Sequence, residues 1–184
     1  MGKLEKFSIK LLVAIALIAI PHSFFAVPPA KPLPQPNISV VGYFSSDKVQ
    51  RGGAVRVAMV IDIPSGYHIN SSRPLENYLI PTQLKVDAPG SVHVGAVTYP
   101  APVMRKFKFS EKQLSVYENH VVLRFTVAVP ANYSGGSVEV KANVRLQSCN
   151  DEACFPPKNY NQNMHIDVVN RNERVQSTNG WAFR

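Results

Sequence analysis

The residues best suited to chemistry are the two cysteines, in Cys149-Asn-Asp-Glu-Ala-Cys154-Phe-Pro-Pro157. Four residues separate them, so a bond between them closes only across a tight turn. Such a pair can exchange disulfides, staple a loop or help to hold a metal. As a staple it would contribute roughly 2 kcal/mol by chain entropy, less than a bridge that closes a long loop. Local, exposed pairs are also the ones with higher reduction potentials. Asp151 and Glu152 oppose thiolate formation, and Lys158 is the one nearby cation in the segment that favours it. A metal site needs more ligands: His165 lies eleven residues past Cys154, and no fourth ligand is apparent. No metal and no cofactor is therefore expected. The residues alone leave the redox and the structural readings open.

A strand leads into the first cysteine. In Val138 to Gln147, Val138, Val140, Ala142, Val144 and Leu146 alternate with Glu139, Lys141, Asn143, Arg145 and Gln147. A period of two means one buried face and one wet face. Continued past Gln147, the same parity puts Cys149 on the wet side. Further strands are expected at 38–44, 54–63, 83–86, 92–99, 121–129 and 164–169, bounded by turn residues such as Pro64-Ser65-Gly66 and Ala88-Pro89-Gly90. Pro100 to Gln113, with two prolines, basic residues and two Phe, reads as a long loop of the kind that is functional or mobile. No amphipathic helix is evident after the N-terminal segment. Seven or eight strands at short spacing point to an all-β antiparallel sandwich, with a closed barrel as the alternative.

Composition narrows the class. The 184 residues are 45% hydrophobic and 17% charged, too apolar for a disordered chain and without the repeated apolar runs of a polytopic membrane protein. The single long apolar run, Leu11 to Ile20, follows the basic segment MGKLEKFSIK and ends at Pro21. At about half the length of a membrane span, it reads as the core of a secretory signal over residues 1–26. The cleavage motif is weak, since Phe24 stands two residues before Ala26, so retention as an N-terminal membrane anchor is the alternative. Either way the rest of the chain is exported to a disulfide-permissive compartment, and it touches a membrane only if the signal is uncleaved. Residues 27–36 hold five prolines and form an extended spacer. Residues 37–169 form the folded body, and 170–184 a polar tail expected to fray.

The net charge is +8. The basic residues are scattered, with Arg105-Lys106-x-Lys108 the one tight cluster, which is no nucleic-acid footprint. No phosphate-binding glycine loop and no G-x-S-x-G elbow occurs, which argues against nucleotide-dependent and serine-hydrolase chemistry.

The segment V-R-L-Q-S-C-N-D-E-A-C-F-P-P, residues 144–157, resembles the redox segment of the N-terminal periplasmic domain of the thiol:disulfide interchange protein DsbD. Gln147, Cys149, Asp151, Cys154, Phe155, Pro156 and Pro157 carry the likeness. Pro64-Ser-Gly-Tyr-His-Ile-Asn70, Leu79-Ile-Pro-Thr82, Tyr99-Pro100 and Leu114-Ser-Val-Tyr117 are similar to further segments, so that it extends over residues 37–169. The resemblance implies an immunoglobulin-like sandwich with a redox pair at one end. It implies that Cys154 forms the mixed disulfide with a client and that Cys149 closes the internal bond. It implies electrons arriving from a thioredoxin-like donor or a membrane reductant. They leave to oxidised periplasmic proteins such as disulfide isomerases or cytochrome-maturation thioredoxins. It further implies a cap loop, here Tyr99 to Tyr117, with Phe107 or Phe109 as the shield; packing the loop onto the sandwich is the alternative role for both.

Two departures stand out. His68 and Asn70 occupy positions where some family members carry tyrosines, and His68 favours a thiolate if it lies close. The membrane and thioredoxin domains that accompany this domain in DsbD are not among the 184 residues, so a separate reductant is expected. The competing reading is a non-catalytic binding module with a structural disulfide.

Overall fold

The computed structural model describes residues 35–184. The expected signal segment and all but the last two residues of the spacer lie outside the described residues. Twelve strands follow in order. They are β1 (Ser39–Phe44), β2 (Lys48–Gln50), β3 (Ala54–Asp62), β4 (His68–Asn70), β5 (Gln83–Asp87) and β6 (His93–Val94). Then come β7 (Val103–Arg105), β8 (Leu114–Glu118), β9 (His120–Ala128), β10 (Ser137–Leu146), β11 (Ser148–Cys149) and β12 (Lys158–Val169). A short 3-10 turn, Gly180–Phe183, closes the chain.

Two sheets form an immunoglobulin-like sandwich. One has the order β1-β3-β9-β6 and the other β2-β12-β10-β5. The inward side chains of β10 (Val138, Val140, Ala142, Val144, Leu146) meet those of β3 and β9 (Val57, Met59, Ile61, Leu123, Phe125, Val127) in one apolar core. Each fully buried Val or Leu contributes about 2 kcal/mol of transfer free energy. The roughly 2 kcal/mol of a short-loop disulfide is thus one residue's worth, and the sandwich does not depend on it. Gly42 of β1 lies against Met164 of the other sheet, where a Cβ would overlap the Met164 sulfur.

Most pairs are antiparallel, as the alternation predicts; β2 and β12 are parallel, joining Lys48–Gln50 to Asp167–Val169. The expected strand at 92–99 is reduced to His93–Val94. Val94 faces Val127 but Thr98 faces Arg124, so four steps on one chain oppose three on the other. That bulge ends regular pairing at the edge. The expected loop at 100–113 contains a strand, β7, paired with β8.

The tail does not fray. Ala182 is buried against Ala58 and Val60, the outward residues of β3. Arg124 Nε donates to the Ala182 carbonyl at 3.0 Å, and Thr178 N donates to Ser45 O at 2.9 Å. This cover explains why β3 reads as a nearly continuous apolar run instead of alternating: both of its faces are dry.

In a third sheet, β11-β4-β8-β7, three strands continue sandwich strands: β4 follows β3, β8 leads into β9 and β11 follows β10. Each continuation leaves its parent at a residue that breaks pairing. The chain leaves β3 through a turn closed by Tyr67 N donating to Pro64 O, with Gly66 at φ +81°, a conformation that favours glycine. It passes from β8 to β9 at Asn119, φ 59°, in the left-handed region that Asn tolerates. It passes from β10 to β11 at Gln147. The third sheet therefore joins the ends of both sandwich sheets, and the cysteine pair lies on it.

Candidate functional site

The disulfide Cys149–Cys154 closes a hairpin turn, with its Cα atoms 3.9 Å apart. Asn150 shapes the turn: its side-chain oxygen accepts from Glu152 N at 2.9 Å and Ala153 N at 2.8 Å. Phe155 N donates to Ser148 O at 2.8 Å beyond the turn. Pro156 and Pro157 have no amide hydrogen to continue the hairpin, and β12 begins immediately after them.

Cys149 is completely buried, which corrects the expectation of a wet position. The parity of β10 does not carry through Gln147, because the chain there changes partner. β10 pairs with β12 and β5, whereas Cys149 pairs with His68 of β4. Cys154 is partly exposed and packs against a small apolar cluster of Leu79, Phe107, Leu114 and Val116.

The third sheet has two distinct faces. Ile69 and Tyr117 turn into the sandwich core. The opposite parity carries the site. His68 stands opposite both Cys149 on β11 and Glu118 on β8, and Asn70 stands opposite Val116. Cys149, His68 and Glu118 thus form one row across three strands, with side chains on one face.

The segment 106–113 roofs this face. Phe107 stacks on the His68 ring with centroids 3.8 Å apart and planes 15° apart. Phe109 stacks outside it, 5.6 Å from Phe107 and 6.4 Å from His68. Of the two shield candidates, Phe107 is the buried one that touches the site and Phe109 is the outer layer.

Gln147 ties the parts together. Its Oε1 accepts from Asn70 Nδ2 and from Ile80 N, each at 3.0 Å, and its Nε2 donates to Phe155 O at 3.2 Å. Asn70 Nδ2 also donates to Ile80 O at 3.0 Å. One amide side chain thereby fixes β4, the segment before β5 and the residue after Cys154. Phe155 itself is buried beside Tyr67, with ring centroids 6.0 Å apart. Asp151, Pro156 and Pro157 are exposed.

Burial lowers the pKa of His68 to about 4, against the opposing pull of the Glu118 and Asp151 carboxylates. The imidazole is therefore neutral near pH 7 and supplies no positive charge to a thiolate. This answers the sequence expectation for His68: it does lie beside Cys149, but in the wrong protonation state to act as a cation. Its Nε2 is buried and hydrogen-bonded to nothing among the described residues; Asn70 Oδ1 shares that condition. Sequence reasoning missed Glu118 and its partner Arg105. Arg105 Nε and Nη2 donate to the Glu118 carboxylate at 3.0–3.1 Å, which raises the guanidinium's pKa. The signal was adjacent, since Glu118 follows the Leu114-Ser-Val-Tyr117 segment and continues its parity. No group of metal-ligating side chains occurs among the described residues.

A dithiol/disulfide pair set at the end of an immunoglobulin-like sandwich, one cysteine buried and one partly exposed beneath an aromatic roof, defines a thiol–disulfide interchange domain. The family model described as thiol:disulfide interchange protein DsbD, N-terminal, matches residues 28–165, and the chain belongs to that family. Among solved structures it is similar to the N-terminal domain of Neisseria meningitidis DsbD in the reduced form. The two are 16% identical with a TM-score of 0.43, over 70% of this chain and 88% of that one. It is also similar to the N-terminal periplasmic domain of ScsB from Proteus mirabilis, at 13% identity and a TM-score of 0.49. That alignment covers 79% of this chain and 51% of the other, so the chain spans about half of its length. No curated protein matches significantly.

Proposed function

We propose that residues 37–169 are an exported oxidoreductase domain of the protein-disulfide-reductase type. It takes reducing equivalents from a thioredoxin-like donor or a membrane reductant. It passes them through Cys149 and Cys154 to oxidised periplasmic proteins, of which disulfide isomerases and cytochrome-maturation thioredoxins are the expected kinds. Residues 1–26 direct export or, uncleaved, anchor the domain to the inner membrane; residues 27–36 act as spacer and 170–184 as tail. Among the described residues no helix is long and apolar enough to cross a membrane.

The observation that carries this reading is the unequal exposure of the two cysteines. Cys154, partly exposed, is the one a client disulfide can reach, and Cys149, fully buried beside it, is placed to resolve the product. The roof supports the same reading, because a permanent staple needs no cover and a reactive pair does. Phe107 and Phe109 shield the pair until a partner displaces them, while His68, Asn70, Gln147, Asp151, Phe155, Pro156 and Pro157 shape its surroundings. Apolar side chains are available for docking beside the roof. Exposed Tyr78 shares a depression with Phe109, and exposed Val103 and Met104 lie on β7 just before it.

The test is covalent trapping with an oxidised protein that carries a C-x-x-C pair. Cys149→Ala is expected to accumulate a mixed disulfide through Cys154, and Cys154→Ala is not. Equal trapping by both variants, or by neither, would overturn the assignment.

A further inference from the structure

We propose that His68 is the proton acceptor for the Cys149 thiol, and that Phe107 withholds it until a client displaces the roof. The inference rests on the exchange role of the pair and on Cys154 being the attacking sulfur.

Three observations carry it. His68 stands directly opposite Cys149 across the β4–β11 pair, on the face that bears the disulfide. Directly opposed side chains lie within reach of each other. Its Nε2 is buried without a hydrogen-bond partner, a costly condition that among the described residues only Asn70 Oδ1 shares. Finally, the ring is covered face-on by Phe107, the buried member of the roof. A residue needed only for packing would be better served by an apolar ring, which would orphan no nitrogen.

The charged groups around it set when it works. From β8, Glu118 faces the ring, and Arg105 of β7 fixes that carboxylate. From the turn after β11, Asp151 adds a second negative charge. Lys106 and Lys108 flank Phe107 in the roof and are exposed. Under the roof, burial outweighs both carboxylates and the imidazole is a poor base. With Phe107 displaced, water enters and the penalty of burial falls, so that Asp151 and the Arg105-paired Glu118 raise its basicity. Proton transfer is most efficient when the base is matched to the working pH, which the open state approaches and the closed state does not.

Cys154 thiolate attacks the client disulfide, that bond breaks, and one client sulfur leaves as thiolate. Cys149 Sγ–H then gives its proton to His68 Nε2. The Cys149 thiolate attacks Cys154 Sγ, the internal disulfide forms and the mixed disulfide breaks. The second client sulfur leaves and takes the proton from His68. Two electrons pass from the dithiol to the client, and the imidazole ends neutral.

The experiment uses the reduced full-length protein and 5,5′-dithiobis(2-nitrobenzoate) in a stopped-flow spectrometer. Capture of the probe by Cys154 releases one coloured thiolate, and resolution by Cys149 releases the second. In His68→Gln the loss is expected on the second phase, at about tenfold or more near neutral pH, within the usual reach of general base catalysis. Its pH profile should then follow the thiol alone. Glu118→Gln keeps the imidazole and is expected to slow the same phase less and shift its pH profile downward. Should His68→Gln fail to fold, that variant carries the test. A second phase with unchanged rate and pH profile overturns the proposal, as does equal slowing of both phases, which would mark a structural role. Release of only one equivalent by the unmodified protein would overturn the exchange role itself, and the proposal with it.

Discussion

Acidification should destabilise this protein through one imidazole. His68 titrates near its ordinary value of 6.5 in the unfolded chain and at about 4 in the folded one, because burial under Phe107 disfavours the cation. The unfolded state therefore binds the proton first. Stability is full above about pH 6.5 and falls as the pH drops towards about 4. At about 1.4 kcal/mol per pH unit, the whole gap is worth roughly 3 kcal/mol, and about 2 kcal/mol of it is lost by pH 5. For a folded body of this size that is about 4–8 °C in Tm. Carboxylates also respond to acid, so the quantity to measure is a difference. The oxidised protein and His68→Phe, which keeps an aromatic ring under Phe107, are unfolded by urea and followed by far-ultraviolet circular dichroism at pH 7 and pH 5. The wild type should lose about 2 kcal/mol more than the variant between the two conditions. Equal losses would refute the reasoning, since they would mean that His68 is not held neutral by its burial.

Three further perturbations test the construction of the site. Phe107→Ala removes the layer over His68 and the contact beside Cys154; it should cost about 3 kcal/mol and make the disulfide several-fold faster to react with a small-molecule reductant, read by alkylation and mass spectrometry. Gln147→Ala leaves Asn70 Nδ2 with one partner fewer and unpairs Ile80 N from its side-chain acceptor; a loss of about 2 kcal/mol and faster amide exchange at Ile80 are expected. Deleting residues 180–184 uncovers Ala58 and Val60 and removes the Arg124 contact, so thermal unfolding should shift down by several degrees.

The sandwich was legible where one side of a strand is dry and the other wet. β10 announces itself in five alternating apolar residues, and its observed limits differ from the expected ones by a single residue at each end. β3 was found but not understood, because the tail that dries its outer face comes some 120 residues later in the chain. The same long separation hid the parallel β2–β12 pair, which no local pattern encodes. At the site, residue types singled out Cys149 and Cys154 and the family resemblance singled out Gln147, while parity misplaced Cys149. A strand that changes sheets resets its own alternation, and nothing in Leu146-Gln147-Ser148 states that a new partner strand begins there. The choice between Phe107 and Phe109 and the role of Glu118 likewise depend on which residues face His68 across strands, a matter of register and not of local sequence.

The central claim is that the Cys149–Cys154 bond is made and broken in use. Its reduction potential tests that most directly, by equilibrating the protein in glutathione or dithiothreitol buffers and counting free thiols by alkylation. A value near or above about −250 mV is predicted, among the couples that exchange with other proteins. A value below about −300 mV would place the bond among structural disulfides and contradict the account.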